Sequence, residues 1–215
     1  KNKFSDAWKL FESRIQKAKF FHKNYSKELI SYIVRSNQSF TKEDKILILR
    51  EQGLGEEILF SSIYKDLIKY SNNIIIESDP RLINIFERSF NKKIFVKDGK
   101  FSKDIISLKK FDSVIFAGSL CKKFRRNLND FKNKAYLISD KKRDKELSKT
   151  EFLDNSKIKV GLSWKSVVSI YGKLKSLNLN DFKNLFTNNI QIINLQYGNV
   201  KKDIDEIKKN NLKIY

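Results

Sequence analysis

The sequence feature that most constrains the fold is a series of short apolar runs, each followed by a more polar stretch. The runs occupy residues 46–49 (ILIL), 73–78 (NIIIES), 93–96 (KIFV), 113–118 (SVIFAG) and 135–139 (AYLIS). Segments with helical periodicity lie between and after them, at 56–70, 80–90, about 120–131 and 141–153. Apolar strands that alternate with helices indicate a parallel sheet covered on both faces. The sequence therefore predicts an α/β, Rossmann-like domain over residues 45–154.

A second series of the same kind begins at residue 157. The strand-like runs KIKVGLSW (157–164) and IQIINLQYG (190–198) alternate with helix-like segments at 178–186 and 200–210, and LKIY (212–215) is typical of the first residues of a strand. We therefore expect residues 155–215 to be the beginning of a second, truncated Rossmann-like domain. The polar stretch at 154–156 is its expected hinge.

The N-terminal residues have a different pattern. In FSDAWKLFESRIQKAKF (4–20), apolar residues recur at spacings of three and four, which predicts one amphipathic helix that needs a partner. Residues 22–45 are of mixed polarity, with a weak helical patch at 29–34, and are expected to form a connector packed on the next unit. Residues 1–44 are thus predicted to lie outside the Rossmann-like domain.

Charge and composition narrow the classes of function. The formal net charge of +20 favours a polyanionic partner such as nucleic acid. However, lysine far outnumbers arginine and is scattered along the chain, as an A/T-rich coding bias would produce, so a nucleic-acid partner is not favoured. The chain has no apolar run long enough for a membrane span, and its single cysteine, Cys121, agrees with a reducing compartment, so the cytoplasm is expected. The lack of methionine suggests a piece of a longer protein.

The turn after the first apolar run is the main candidate for a ligand site. Gly53 and Gly55 lie where a parallel strand turns into a helix, and the first amides of that helix favour an anion. A phosphate-binding P-loop is excluded because Glu56 and Glu57 follow the second glycine. A dinucleotide site lacks its third glycine, since Ile58 stands there.

Two readings of this turn remain open from the residues alone. An S-adenosylmethionine site could use the turn together with an acid after the second strand, Glu77 or Asp79. A tight turn without any ligand is the simpler alternative. The single histidine, His22, makes a catalytic triad or a histidine metal site improbable, and no metal is expected.

Several motifs in order resemble one known region. EQGLGEEILFSSIYKDLI, IIIESDPRLINIFERSF, FAGSLCKKFRRNLNDF, YLISDKK, KVGLSWKS and INLQYG look like the glycosyltransferase-like region that follows tetratricopeptide repeats in many bacterial proteins. That region is similar to the heptosyltransferases and, more distantly, the O-GlcNAc transferases, which have two Rossmann-like domains in the GT-B arrangement. FSDAWKLFESRI looks like the last helix of the repeat array.

The resemblance implies roles for residues of the first domain. Sugar transfer needs a base for the acceptor hydroxyl, and Glu56 stands where related sequences place a catalytic aspartate. The acceptor-binding candidates are Gly53, Gly55, Glu77, Asp79, Arg125 and Arg126. Two of these roles have local structural alternatives, because an acid at Glu56 suits a helix start and Asp79-Pro80 is a typical helix cap.

The second domain is expected to bind a nucleotide-sugar co-substrate, with no other cofactor. Donor phosphates need hydroxyls, amides and cations as charge grows on the departing diphosphate. The same resemblance implies that the residues that meet them here are Ser163, Lys165, Lys173, Lys175 and Gln196.

The expected function is sugar transfer from a nucleotide-sugar to an unidentified acceptor, a glycan, a lipid-linked sugar or a protein. Upstream repeats would supply a protein partner, and this truncated chain by itself is expected to transfer little or no sugar. The alternatives are an S-adenosylmethionine-dependent methyltransferase and a non-catalytic interaction module with a degenerate GT-B fold.

Overall fold

The computed structural model describes residues 3–17, 19–36, 39–132, 134–150, 153–154, 156–166 and 172–215. The chain divides into two compact units, Lys1–Asp140 and Lys141–Tyr215. The expected hinge at 154–156 thus falls inside the second unit.

The first unit is built on a parallel sheet of four strands. They are β1 (Ile46–Leu49), β2 (Ile74–Ser78), β3 (Phe95–Lys97) and β4 (Ser113–Phe116), in the order β3-β2-β1-β4. Ile46 pairs with Ile74 on one side and with Ser113 on the other. This order, in which the chain leaves β3 and crosses to the far side of β1, is that of a Rossmann-like sheet. The α/β fold class expected from the sequence is confirmed at this level.

Helices join and cover the strands of the first unit. Before β1 lie α1 (Phe4–Phe11), α2 (Arg14–Lys17), α3 (Lys19–Asn24) and α4 (Lys27–Ser36). The later helices are α5 (Leu54–Ser61), α6 (Tyr64–Tyr70), α7 (Pro80–Phe90), α8 (Ile105–Leu108) and α9 (Cys121–Phe124), with 3₁₀ turns at Ala117–Leu120 and Leu128–Asp130.

The residues of β1 alternate between two hydrophobic cores, one on each face of the sheet. Ile46 and Ile48 belong to the core that α5, α6 and α7 cover, with Tyr64 and Phe86 among its fully buried members. Leu47 and Leu49 belong to the opposite core. Because all four side chains are buried, the strand reads as a continuous apolar run.

The N-terminal segment that contains α2, α3 and α4 supplies half of the buried residues of the second core. Its buried contributors are Ile15, Phe21, Leu29, Ile30 and Ile33 on the helices and Tyr25 between α3 and α4. The Phe21 and Phe116 rings meet edge to face with centroids 4.7 Å apart, which ties α3 directly to β4. These residues, expected to form a repeat helix and a connector, therefore complete the sheet's cover in the first unit.

Two local predictions differ from the structure. The single helix expected over 4–20 is interrupted after Phe11, where α1 ends and a turn leads to α2 at Arg14. The strand expected over 135–139 does not form. Tyr136 and Leu137 pack against the core beneath the helices instead. The Tyr136 hydroxyl donates to the Ile58 carbonyl, and the Ile138 N–H donates to Ser89 Oγ.

The second unit is smaller. Its helix α10 (Lys141–Ser148) precedes β5 (Ile158–Leu162), which pairs in parallel with β6 (Ile190–Asn194). A 3₁₀ segment at Leu179–Leu185 and the helix α11 (Lys201–Lys209) pack with them, and Ile214 forms a parallel bridge with Ile192 where a third strand was expected. Trp164, Leu179, Ile192 and Ile207 are central to its core.

Within the described ranges of both units, no helix combines the length and the apolar character that crossing a membrane requires.

Candidate functional site

The carboxyl ends of the first unit's strands bring polar side chains to one edge of the sheet. Arg50 and Glu51 follow β1, Asp79 follows β2 and Asp98 follows β3. Ligands of open parallel sheets bind at this edge, which is therefore the candidate ligand-binding edge of the first unit.

Arg50 connects the ends of three strands. Its Nη1 lies 2.9 Å from Asp98 Oδ2 and 3.4 Å from Asp79 Oδ2, and its Nε lies 2.9 Å from Glu57 Oε2. The contact with Glu57 is an ion pair whose geometry is not that of a hydrogen bond. Burial acts to lower the pKa of Arg50, but the hydrogen bond to Asp98 and the surrounding negative charges outweigh it, so that its pKa is raised. Arg50 therefore stays a fixed positive charge.

Glu57, on α5, is a fully buried acid beneath this group. Its side chain is inaccessible, and its Oε1 accepts a hydrogen bond of 3.0 Å from the Asp79 N–H. Burial raises the pKa of Glu57, and the Asp79 N–H and the Arg50 charge only partly oppose that rise. Its position beneath Arg50 means that it orients the guanidinium rather than meeting a ligand.

A cavity of about 460 Å³ opens beside Arg50. Its lining is mostly polar, and it combines side chains from α3, the start of α4, the end of β1 and the loop after β3. The lining residues are Asn24, Tyr25, Ser26, Leu29, Arg50, Asp98, Gly99, Ser102 and Lys103. A polar cavity of this size at the carboxyl edge suits a small ligand with several hydrogen-bonding groups.

The neighbouring crevice between β1 and β4 is filled by the protein itself. This is the point where the strand order reverses and where ligands often enter such sheets. Here Arg14 of α2 lies against the buried Glu51, with Nε–Oε2 and Nη2–Oε1 distances of 2.7 and 2.8 Å. The Gly118 N–H donates to Glu51 Oε1, and Ser119 Oγ lies 3.1 Å from Arg14 Nη2. This network leaves the adjoining cavity beside Arg50 as the open part of the edge.

The glycine turn ends in a helix cap. Glu56 is exposed, and its Oε2 accepts a hydrogen bond of 3.2 Å from the Gly53 N–H at the start of α5. Gly53 is extended, with φ −97°, whereas the neighbouring Gln52 has φ 61°, so the left-handed residue of the turn is not a glycine. A methyl group on Gly55 would meet nothing within 4 Å. The geometry gives Glu56 the helix-start role that the sequence offered as its alternative.

Glu77 lies beneath the sheet edge, where its carboxylate is hydrogen-bonded by the protein itself. Its carboxylate is buried and accepts four hydrogen bonds, from the N–H groups of Gly99, Phe101 and Ser102 and from Ser102 Oγ, at 2.5 to 3.0 Å. These bonds hold the loop after β3 and leave little capacity for a substrate hydroxyl. The contacts therefore assign Glu77 to shaping the cavity wall.

Asp79 caps α7. Its Oδ1 accepts from the Arg81 N–H at 3.0 Å, Pro80 occupies the first helical position, and Arg81 Nη2 lies 2.8 Å from Oδ2. The side-chain hydrogen bond to Arg81 is the main reason why the pKa of Asp79 falls to about 2. A weaker contact reaches Arg50. Asp79 therefore lies next to Arg50, which lines the candidate cavity.

Arg125 and Arg126 lie away from this edge. The helical run 117–124 carries the chain from the end of β4 back toward the opposite edge, where Lys123 Nζ donates to the carbonyl of Phe40 ahead of β1. Arg125 is buried and donates to Asp66 at 2.7 Å and to the Ser62 carbonyl at 3.0 Å. Arg126 is exposed. The two arginines were predicted to bind the acceptor, which would place them beside the Arg50 cavity. They lie apart from that cavity.

In the second unit, Gln196 joins the turns that follow β5 and β6. Its Oε1 accepts from the Trp164 and Lys165 N–H groups at 2.8 and 2.7 Å and from Ser163 Oγ at 3.0 Å. Its Nε2 donates to the Lys165 and Tyr197 carbonyls. The amides expected to face donor phosphates are therefore already hydrogen-bonded.

The three lysines predicted to bind donor phosphates have different surroundings. Lys165 Nζ lies 2.5 Å from Asp203 Oδ2 in an ion pair. Lys175 is exposed at the end of a 3₁₀ turn. The Lys173 side chain lies outside the described residues.

Sequence reasoning missed Arg50, Asp98 and the Arg14–Glu51 pair. Arg50 and Asp98 each follow directly on a strand, so the rule that ligands meet strand ends pointed to them. No sequence pattern indicated the Arg14–Glu51 pair. Its two members are 37 residues apart, and Arg14 lies in a segment that was expected to be separate from the Rossmann-like domain.

No group of three or more His, Cys, Asp and Glu side chains is placed to hold a metal ion in the part of the chain that the structure describes. Comparisons with protein-family models, with curated proteins and with solved structures find no significant match.

Proposed function

We propose that the chain belongs to a glycosyltransferase-like protein, that its first unit binds the acceptor, and that the cavity beside Arg50 receives a sugar acceptor. The observation that carries this proposal is the polar cavity at the carboxyl edge of a Rossmann-like sheet. Asp98, Lys103 and Asn24 offer acceptors and donors around it, which suits the many hydroxyls of a sugar. The order of the motifs along the chain supports the same class of protein.

The proposed catalytic base is Glu56. Its carboxylate is exposed on the first turn of α5, which starts at the same sheet edge as the cavity. As a base it would take the proton of an acceptor hydroxyl while the sugar is transferred. The bond to the Gly53 N–H occupies Oε2, so proton transfer would use Oε1 or follow the loss of this bond.

The proposed donor contacts lie in the second unit. Ser163, Lys165 and Lys175 would meet the diphosphate of a nucleotide-sugar, and this requires Gln196 to release the turn amides. The proposal thus includes a local rearrangement around one glutamine side chain.

The first prediction tests the acceptor cavity by binding, because binding needs no turnover. Saturation-transfer NMR of residues 1–215 with a panel of mono- and oligosaccharides should show contact with at least one sugar. Asp98→Ala should reduce that signal strongly because it removes an acceptor from the cavity wall and one partner of Arg50. Asp6→Ala, at an exposed position of α1, is the matched control.

Loss of the signal in both variants, or no sugar binding at all, would contradict the proposal. Calorimetric titration with S-adenosylmethionine separates the methyltransferase alternative, for which we expect no heat of binding.

A non-catalytic binding module with the same fold is the second candidate. The observation that favours it is the closed turn of the second unit, where Gln196 already binds the amides. Glu56→Gln discriminates in a longer form of the protein that transfers sugar: it should lower kcat if Glu56 is the base, and unchanged transfer would remove Glu56 from the chemistry.

A further inference from the structure

A concave, strongly basic surface lies on the first unit, away from the Arg50 cavity. Two adjoining cavities, of about 480 and 440 Å³, share Asp66, Lys69, Arg125 and Lys132 in their linings. We call them together the basic groove. Its described lining has seven basic side chains, Lys65, Lys69, Lys123, Arg125, Arg126, Lys132 and Lys134, and two acidic ones, Asp66 and Asp130.

The floor of the groove is held in place by internal contacts. Buried Arg125 pairs with Asp66 at 2.7 Å, and the Trp8 indole N–H donates to the Arg125 carbonyl. Lys123 Nζ donates to the Tyr70 hydroxyl at 2.9 Å and lies 4.1 Å from the centre of the Tyr70 ring. These two cations are therefore occupied, and they give the groove a fixed shape.

The rim carries the cations that can meet a ligand. Lys65, Lys69, Arg126, Lys132 and Lys134 are all exposed, and none of them forms an ion pair with a carboxylate of the described chain. Lys65 and Lys69 are four residues apart on α6, so they share one helix face. The other three follow α9 on the loop that lines the groove. A ligand with repeated negative charges fits such a rim.

The chemistry of the groove selects among polyanions. Single-stranded nucleic acid binds to grooves with successive aromatic platforms. Among the described groove residues, Phe131 is the one aromatic residue that is exposed, at 44%, and one side of its ring contacts the Phe4 ring. An acidic protein partner needs an interface core from which lysine is depleted, and here lysine dominates. A flexible chain with carboxylate or ester charges on sugar rings needs point charges along a rim and one apolar surface against which a ring can pack.

We propose that the basic groove binds an anionic polysaccharide, with its charges on Lys65, Lys69, Arg126, Lys132 and Lys134 and one sugar face on Phe131. This inference concerns a site separate from the Arg50 cavity and does not depend on sugar transfer. The proposal assigns a binding role to the part of the chain's positive charge that lies in the basic groove.

The second prediction tests the groove by fluorescence anisotropy. The probe is a labelled oligogalacturonate of about ten units, titrated with residues 1–215 at low salt. We expect Lys65→Ala/Lys69→Ala to weaken binding by about tenfold, because the variant loses two exposed charge contacts, each of which contributes modestly. The control is Lys109→Ala/Lys110→Ala, which removes the same charge from exposed positions outside the groove.

Three further arms make the result decisive. A neutral dextran oligomer should not bind, and Phe131→Leu should weaken oligogalacturonate binding while retaining an apolar side chain. Oligothymidylate and polyglutamate of equal charge should bind more weakly than oligogalacturonate. Equal loss in both double variants, tighter binding of either competitor, or no binding of oligogalacturonate would overturn the proposal.

Discussion

Among the glycines of the first unit, Gly118 has the least room for a side chain. A β-carbon there would lie 2.5 Å from Glu51 Oε1, 2.9 Å from Arg14 Nη2 and 3.0 Å from Phe60 Cζ. The third prediction is that Gly118→Ala lowers the free energy of unfolding by about 1–3 kcal/mol, because the methyl group must displace a buried ion pair. Urea unfolding followed by circular dichroism measures the change.

Gly55→Ala is the matched control for that substitution. A β-carbon at Gly55 meets nothing within 4 Å, and the residue lies in the first turn of α5, so alanine should stabilise the helix by up to about 1 kcal/mol. If the two substitutions had the same effect, close approach at Gly118 would not be the reason for its glycine.

At this scale, the residues that could be predicted are those whose partners are near in sequence. The cap formed by Asp79 and Pro80 and the helix-start role of Glu56 follow from spacings of one to three residues. The Arg14–Glu51 pair and the Glu77 contacts with the loop after β3 depend on the folded sheet, because their partners are 22 to 37 residues away. Residue types alone could not distinguish such internal carboxylates from ligand-binding ones.

The helix α7 depends on the charge of its N-cap. Because the pKa of Asp79 is about 2 in the folded chain and the ordinary value for an aspartate is 3.8, the folded state binds fewer protons. The stabilisation from this carboxylate is therefore present above about pH 4 and is lost as the pH falls toward 2. The fourth prediction is that Asp79→Asn, which keeps a capping oxygen, is less stable than the wild type at pH 5 and approaches it near pH 2.

Urea unfolding of both proteins from pH 2 to 6 gives the required difference. Because Arg81 is 70% exposed, 0.5 M NaCl should narrow the gap at pH 5 by screening. A gap that stays constant with pH would show that the substitution acts through the cap geometry and not through the charge.

Elements were predictable where burial on both faces produces an unbroken apolar run. The strands β1 and β2 lie within a residue of their expected bounds for that reason. The run at 135–139 is apolar like those strands, but it hydrogen-bonds to a side chain and a carbonyl of helices. Its composition alone gives no sign that its backbone lacks a strand partner. The break after α1 was likewise invisible, because apolar spacing continues from Phe11 to Ile15.

At the scale of the whole molecule, we expect the first unit to fold as an isolated fragment only when the fragment includes its N-terminal helices. Both of its core clusters lie within residues 1–140. The fifth prediction is that a fragment of residues 1–140 unfolds cooperatively, whereas residues 45–140 do not fold. The second fragment loses six buried apolar side chains, each worth about 1.5–3 kcal/mol, and their sum is comparable to the stability of a whole domain.

Circular dichroism and urea titration of the two fragments give the measurement. The fluorescence of Trp8, the one tryptophan within residues 1–140, follows the longer fragment directly. Cooperative unfolding of residues 45–140 would mean that the helices before β1 are a dispensable addition.

The α/β class was predictable for the whole molecule because it follows from alternation alone. The strand order was not, because it depends on which strands pair, and the integration of α2, α3 and α4 was hidden by their helical pattern, which fits a repeat array and a sheet cover equally well. The candidate cavity lies at the sheet edge that the strand-end rule indicates, but most of its lining residues come from loops and helices that the rule does not identify.

The Trp8 contact with Arg125 also concerns the time course of synthesis. The two residues are 117 positions apart, and Arg14 and Ser119 are 105 apart. At translation rates of about 5–20 residues per second, the N-terminal helices wait on the order of 5–20 s for β4. Throughout that interval their apolar faces are open to solvent and to chaperones, so the nascent chain should be most prone to aggregation before its fourth strand leaves the ribosome.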